Sequence, residues 1–120
     1  METIIPASTK RKTQLFLLSL GGSPRRQGFL FLGQCIDIIT EHEELRRCLY
    51  KQVYAAVARP YGTTTSGVDS AIRREINSIW KLQRPAFVEV FGTHCERPPS
   101  PSEFIFAVAI YLRQCRYEEL

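Results

Sequence analysis

Between Ser66 and Asn77 the chain gathers side chains that could read a nucleic acid: Ser66, Gly67, Asp69, Ser70, Arg73 and Asn77. Spacings of three and four residues put them on one side of a helix, since an α-helix turns once every 3.6 residues. Arg73 presents a planar fork whose donors match the two acceptors of guanine in the major groove. Asn77 carries the donor and acceptor that suit adenine. Ser66, Asp69 and Ser70 are short polar groups that could meet base edges or set their neighbours. Around this set stand Arg46, Arg47, Lys51, Thr64, Arg74 and Lys81, which suit phosphate oxygens. Phosphate contacts position a protein on a duplex and set its salt dependence.

Other chemistries find less support. There is no nucleophile paired with a base, no phosphate-cradling glycine loop and no metal-ligand spacing, so no enzyme is expected. Ser66-x-x-Asp69 reads better as a variant capping box at a helix start. Cysteines stand at 35, 48, 95 and 115 without a C-x-x-C pair, His94-Cys95 is the only adjacent pair of possible ligands, and His42 is remote. We expect reduced cysteines, no metal and no cofactor.

The charge is segregated. The chain is +4 overall with a pI near 9.0. Residues 45–84 hold eight Lys/Arg against two acids, a net +6, and the remainder is −2. A basic excess confined to one segment is the footprint of a polyanionic partner, with a solvated basic face as the alternative.

These residues need helices to hold them. A chain of 120 residues fits one domain that can bury a core. Residues 1–12 lack periodicity and are expected to be a disordered basic tail, with 13–120 as the helical domain. Lys10-Arg11-Lys12 ahead of Leu15-Phe16-Leu17-Leu18 imitates a signal peptide, but the apolar run is too short and no cleavage site follows. A short helix over Thr13–Leu20, stopped by Gly21-Gly22, is the expectation. The tail lysines and Arg11 could also reach phosphates or a minor groove. Phe29, Leu32, Ile36 and Ile39 mark one apolar face of a second helix. Leu45, Leu49, Val53 and Val57 mark a third over Leu45–Arg59, stopped by Pro60. A helix starting at Thr65 or Ser66 buries Val68, Ala71, Ile72, Ile76, Ile79 and Trp80. Pro85 opens a short helix ended by Gly92, and Ser102-Glu103 caps the last one, which turns Phe104, Val108 and Leu112 inward. The fold class is all-α, a compact bundle of about six helices, with no segment apolar enough to span a membrane.

Leu45 to Trp80 has the layout of a helix-turn-helix. Ala58 is small, so the second helix can approach; Gly62 sits where the turn needs positive φ. Val68 and Ile72 then point inward, and Tyr61 plugs the corner. An ordinary helical hairpin would share this layout. With the +6 segment, the pattern places the N-terminal half of the second helix in a major groove. Trp80 is expected in the core, and Tyr50 and Tyr54 between helices.

Gly28 to Arg84 resembles the C-terminal effector-domain family of stage 0 sporulation protein A, the master response regulator of endospore formation. The resemblance rests on Gly28-Phe29-Leu30-Phe31-Leu32, on Val57-Ala58 through Tyr61-Gly62-Thr63-Thr64, and on Ala71-Ile72-Arg73 with Trp80. It resumes at Phe91-Gly92 and Pro99-Ser100-Pro101-Ser102-Glu103-Phe104-Ile105. It implies a six-helix bundle with an embedded helix-turn-helix that binds a short TGTCGAA-like promoter box. It also implies double-stranded DNA, RNA polymerase and a tandem second copy as partners, in a bacterial cytoplasm at the nucleoid.

Departures qualify it. The family has basic residues where this chain has Gly67 and Ser70, Asp69 replaces a glutamate, and Arg73 matches an arginine. The loop over 93–101 is shorter. No segment is long enough for the family's receiver domain, so aspartyl-phosphate control and its metal site are expected to be absent. The expected function is a DNA-binding transcription regulator. The alternative is a protein-interaction module of the same fold that has lost specific readout and docks on another regulator or on polymerase.

Overall fold

The computed structural model describes residues 9–93 and 95–118, and it is all-helical. Residues 1–8 of the expected tail lie outside them. The last residues of that tail are ordered: α1 spans Arg11–Ser19, two residues earlier than expected. The Lys10 backbone N–H donates to Asp37 Oδ2 at 2.7 Å, and Lys10 Nζ pairs with Glu41 at 2.7 Å. Lys10 is therefore held against the second helix. Gly21, at φ 96°, ends α1 in the left-handed region, and Gly22 N–H returns to Leu17 O at 2.9 Å.

α2, Gln27–Glu41, is the central helix. The sequence pattern implies one apolar face, but Phe31, Gln34, Cys35 and Ile38 are buried beside Phe29, Leu32, Ile36 and Ile39. A helix apolar nearly all round belongs inside a bundle, and α2 packs against the first, fourth and sixth helices. Gly28 allows the closest approach. A Cβ there would lie 2.4 Å from Ala71 O and 2.8 Å from Glu75 Cβ.

The expected third helix follows a continuous path of changing pitch. It is 3-10 over Glu43–Cys48, π over Leu49–Val53, α over Tyr54–Ala58 (α3) and 3-10 again over Arg59–Tyr61. Leu49, Val53 and Val57 are buried as expected and Leu45 is partly buried. Pro60 does not stop the path outright. It sits inside a closing 3-10 turn, where its missing N–H costs little. Gly62 follows at φ 64°, the positive value the turn demands.

α4 spans Thr65–Leu82 and buries Val68, Ala71, Ile72, Ile76 and Ile79. α5 spans Pro85–Phe91 and ends at Gly92. α6 spans Pro101–Glu118. Its cap lies two residues earlier than expected. Glu103 N–H donates to Ser100 Oγ, and Ser100 N–H to Glu103 Oε1, each at 3.2 Å. Ser100 thus caps the helix, with Pro101 at its first position, rather than Ser102. Phe87, Phe91 and Phe104 stack in series, at 4.7 Å and 5.4 Å between centroids. Arg113 from α6 donates to Ile39 O and Thr40 O at 3.3 Å and 3.0 Å, capping the open carbonyls of α2.

Candidate nucleic-acid interface

Three local features aim α4 outward. Gly62 reverses the chain, and Thr63 N–H bonds to Ala58 O at 3.3 Å, closing the turn on the small residue. Thr64 is then extended and its Oγ1 accepts from Gly67 N–H at 3.0 Å. The cap is therefore Thr64, and the Ser66-x-x-Asp69 box does not form. Tyr61 leaves the corner half open. Its ring packs edge-on to Phe31 at 5.4 Å, and its hydroxyl accepts from Gln34 at 3.0 Å.

The outer row of α4 is then Ser66, Ser70, Arg73, Arg74, Asn77 and Lys81, all exposed, with Gly67 and Asp69 half-buried beside it. Asp69 is engaged within its own helix. Its Oδ2 accepts from Arg73 Nε at 2.7 Å, with the carboxylate 22% and the guanidinium 62% exposed. That hydrogen bond raises the Arg73 pKa, so the guanidinium stays charged. It occupies Nε and leaves the two terminal nitrogens, the edge that forms a two-pronged contact. Tyr54 lies buried next to this pair, its hydroxyl pushed well above its usual range mainly by burial. Tyr50, in contrast to the expectation, is half exposed, with its ring 5.6 Å from that of Tyr54.

The candidate phosphate residues separate. Arg74 shares the α4 ridge, and Lys81 ends it. Thr64 keeps its hydroxyl proton while its oxygen caps the helix. Lys51 is exposed on the π turn. Arg46 and Arg47 border a different depression with Glu43, Glu44 and Phe106. There Arg46 lies 3.7 Å from Glu43 and 5.0 Å above the Phe106 ring.

Two basic residues escape the sequence reading. Arg26, at the start of α2, donates to Ser78 Oγ at 2.5 Å and lies 3.7 Å from Glu75 Oε1. Arg97 lies in the loop before α6. Both fall outside the +6 segment, so a charge window misses them. Glu75, one of the two acids in the +6 segment, is 1% exposed and accepts from Ser23 N–H at 2.8 Å. Burial raises its pKa against the pull of that bond and of Arg26.

Trp80 is partly buried against the core, and its Nε1 donates to Cys95 O at 2.8 Å, which rules out a free stacking platform. Cys35, Cys48 and Cys95 are free thiols, and His94 lies outside the described residues. Among the described residues no cluster of His, Cys, Asp and Glu could hold a metal, and no helix is long and apolar enough to cross a membrane. The family model described as sporulation initiation factor Spo0A C terminal matches residues 13–112.

Proposed function

The chain belongs to the Spo0A C-terminal family, the DNA-binding effector domains of sporulation regulators, and from that premise we propose that it reads a short promoter box with α4 in the major groove. The observation that carries this reading is the Asp69–Arg73 pair on an otherwise exposed row. A guanidinium oriented from behind presents its outer edge to guanine O6 and N7. Ser66, Gly67, Ser70 and Asn77 are the remaining base-facing positions. Thr64, Arg74 and Lys81 contact phosphates beside them, and Lys51, Arg46 and Arg47 contribute from the preceding helical path. Gly67 carries no side chain and that of Ser70 is short, so sequence preference rests more heavily on Arg73 and Asn77. Contact with RNA polymerase and tandem docking of a second copy belong to the same proposal.

Fluorescence anisotropy at two salt concentrations tests it, with a duplex carrying the TGTCGAA-like box against a scrambled duplex. Tight, salt-dependent preference for the box is the expected result. Equal binding to both would remove the promoter-box readout. No binding to either at low salt would replace DNA by a protein partner.

A further inference from the structure

Beside α4 runs an open groove of about 1020 Å³ whose near wall is Arg73, Arg74 and Asn77. Its far wall is the loop between α5 and α6, with Glu96, Arg97 and Ser100. We infer that this loop is a second DNA-contacting element, in which Arg97 binds a phosphodiester of the strand bordering the major groove. The inference rests on the proposed function and extends it beyond the helix-turn-helix.

The loop is anchored at both ends. Trp80 Nε1 holds Cys95 O from α4, the Cys95 thiol donates to Arg97 O at 3.2 Å, and the Ser100–Glu103 box fixes the start of α6. The backbone carrying Arg97 therefore keeps a defined place relative to the ridge of α4. Arg97 itself is exposed, and neither it nor Arg74 makes an ion pair within 4 Å among the described residues. Two guanidiniums that form no ion pair among the described residues thus face one groove along the helix that carries the base-facing row. Of the two acids there, Glu103 is committed to its capping box, which with a smaller pull from the Arg97 charge holds its carboxyl below the usual range. Glu96 is the only opposing exposed charge without such a role. The other flank of α4 differs. There Arg74 and Asn77 face Arg26 across a smaller groove of about 490 Å³, but Arg26 is already engaged by Ser78 and Glu75. An anionic strand on the loop side of α4 therefore meets Arg97 opposite Arg74 without breaking an ion pair.

The test measures salt slopes of binding to the box and scrambled duplexes for the whole chain carrying Arg97→Ala, Arg97→Lys or Glu96→Gln. Within the fold Arg97 lends its backbone carbonyl to the Cys95 thiol and its charge to the exposed Glu103, so its truncation removes no buried contact, which circular dichroism checks. One lost phosphate contact lowers the slope of log K against log salt by about 0.9. Arg97→Ala is expected to do this equally on both duplexes, Arg97→Lys to restore most of it, and Glu96→Gln to tighten both. An unchanged slope in Arg97→Ala overturns the inference while leaving the proposed function standing. A loss confined to the box duplex also overturns it, because Arg97 would then read a base. A parent protein without salt-dependent binding overturns both.

Discussion

Removing Asp69, Arg73 and then both separates orientation from charge. The pair is an i,i+4 ion pair on a helix surface, with Nε to Oδ2 at 2.7 Å. Such exposed pairs contribute only ~0.3–0.5 kcal/mol to folding. Urea unfolding should therefore place Asp69→Ala, Arg73→Ala and the double variant close to the parent. The larger effect belongs to DNA. A two-pronged arginine–guanine contact discriminates by ~1–3 kcal/mol, so Arg73→Ala should weaken box binding roughly 5- to 160-fold. Asp69→Ala keeps the positive charge but releases the guanidinium. Ordering a flexible side chain at an interface costs ~0.5–1.5 kcal/mol, so box binding should weaken roughly 2- to 13-fold. On the scrambled duplex the same change removes a negative charge near phosphates, and binding should tighten. The double variant should match Arg73→Ala in its preference for the box over the scrambled duplex, because a carboxylate with nothing to orient has no further effect on readout. Anisotropy titrations of the four proteins on both duplexes close the cycle. Additive losses, or equal tightening by Asp69→Ala on both duplexes, would refute the orienting role.

Other changes probe what supports α4. Gly28→Ala puts a Cβ 2.4 Å from Ala71 O, a backbone atom that cannot rotate away. It should cost ~1–3 kcal/mol in urea unfolding as α2 and α4 are forced apart. Thr64→Ala removes the acceptor for Gly67 N–H and should cost ~0.5–2 kcal/mol, while Thr64→Ser should restore most of it. Glu75 is a carboxyl whose folded pKa is raised above its ordinary 4.5, chiefly by burial. Its contribution to stability is fully present below pH 4.5 and is lost as pH rises through the folded value. Glu75→Gln should flatten that part of the profile, measured as unfolding midpoints as pH is raised above 4.5.

Much of this architecture is legible in the residues. Gly62 after Ala58 marks a turn because few residues tolerate positive φ there, and Val68, Ile72, Ile76 and Ile79 keep helical period throughout α4. The pitch changes between Glu43 and Tyr61 are not legible. A tight 3-10 stretch followed by a wide π stretch averages close to α spacing, so Leu45, Leu49, Val53 and Val57 keep their period while the hydrogen bonds beneath them differ. The cap of α4 is ambiguous because Thr63, Thr64, Thr65 and Ser66 all offer hydroxyls. The bond from Thr63 N–H to Ala58 O decides for Thr64, and only the folded turn supplies it. The central place of α2 is hidden for another reason. A search for one apolar stripe finds Phe29, Leu32, Ile36 and Ile39, and does not reveal that the other sides are covered too. In the candidate interface, the members of the α4 row follow from spacing alone. That Asp69 turns to Arg73 rather than to a cap depends on the Thr64 cap, and the nearness of Arg97 to α4 depends on the route of a loop.

Trp80 has one more consequence. It is the only tryptophan in the chain, and its indole nitrogen is bonded to Cys95 O, where the loop before α6 meets α4. The protein thus carries an intrinsic optical probe at that junction. Its emission colour and quenching respond to any parting of loop and helix, and no dye or added label is needed to follow them.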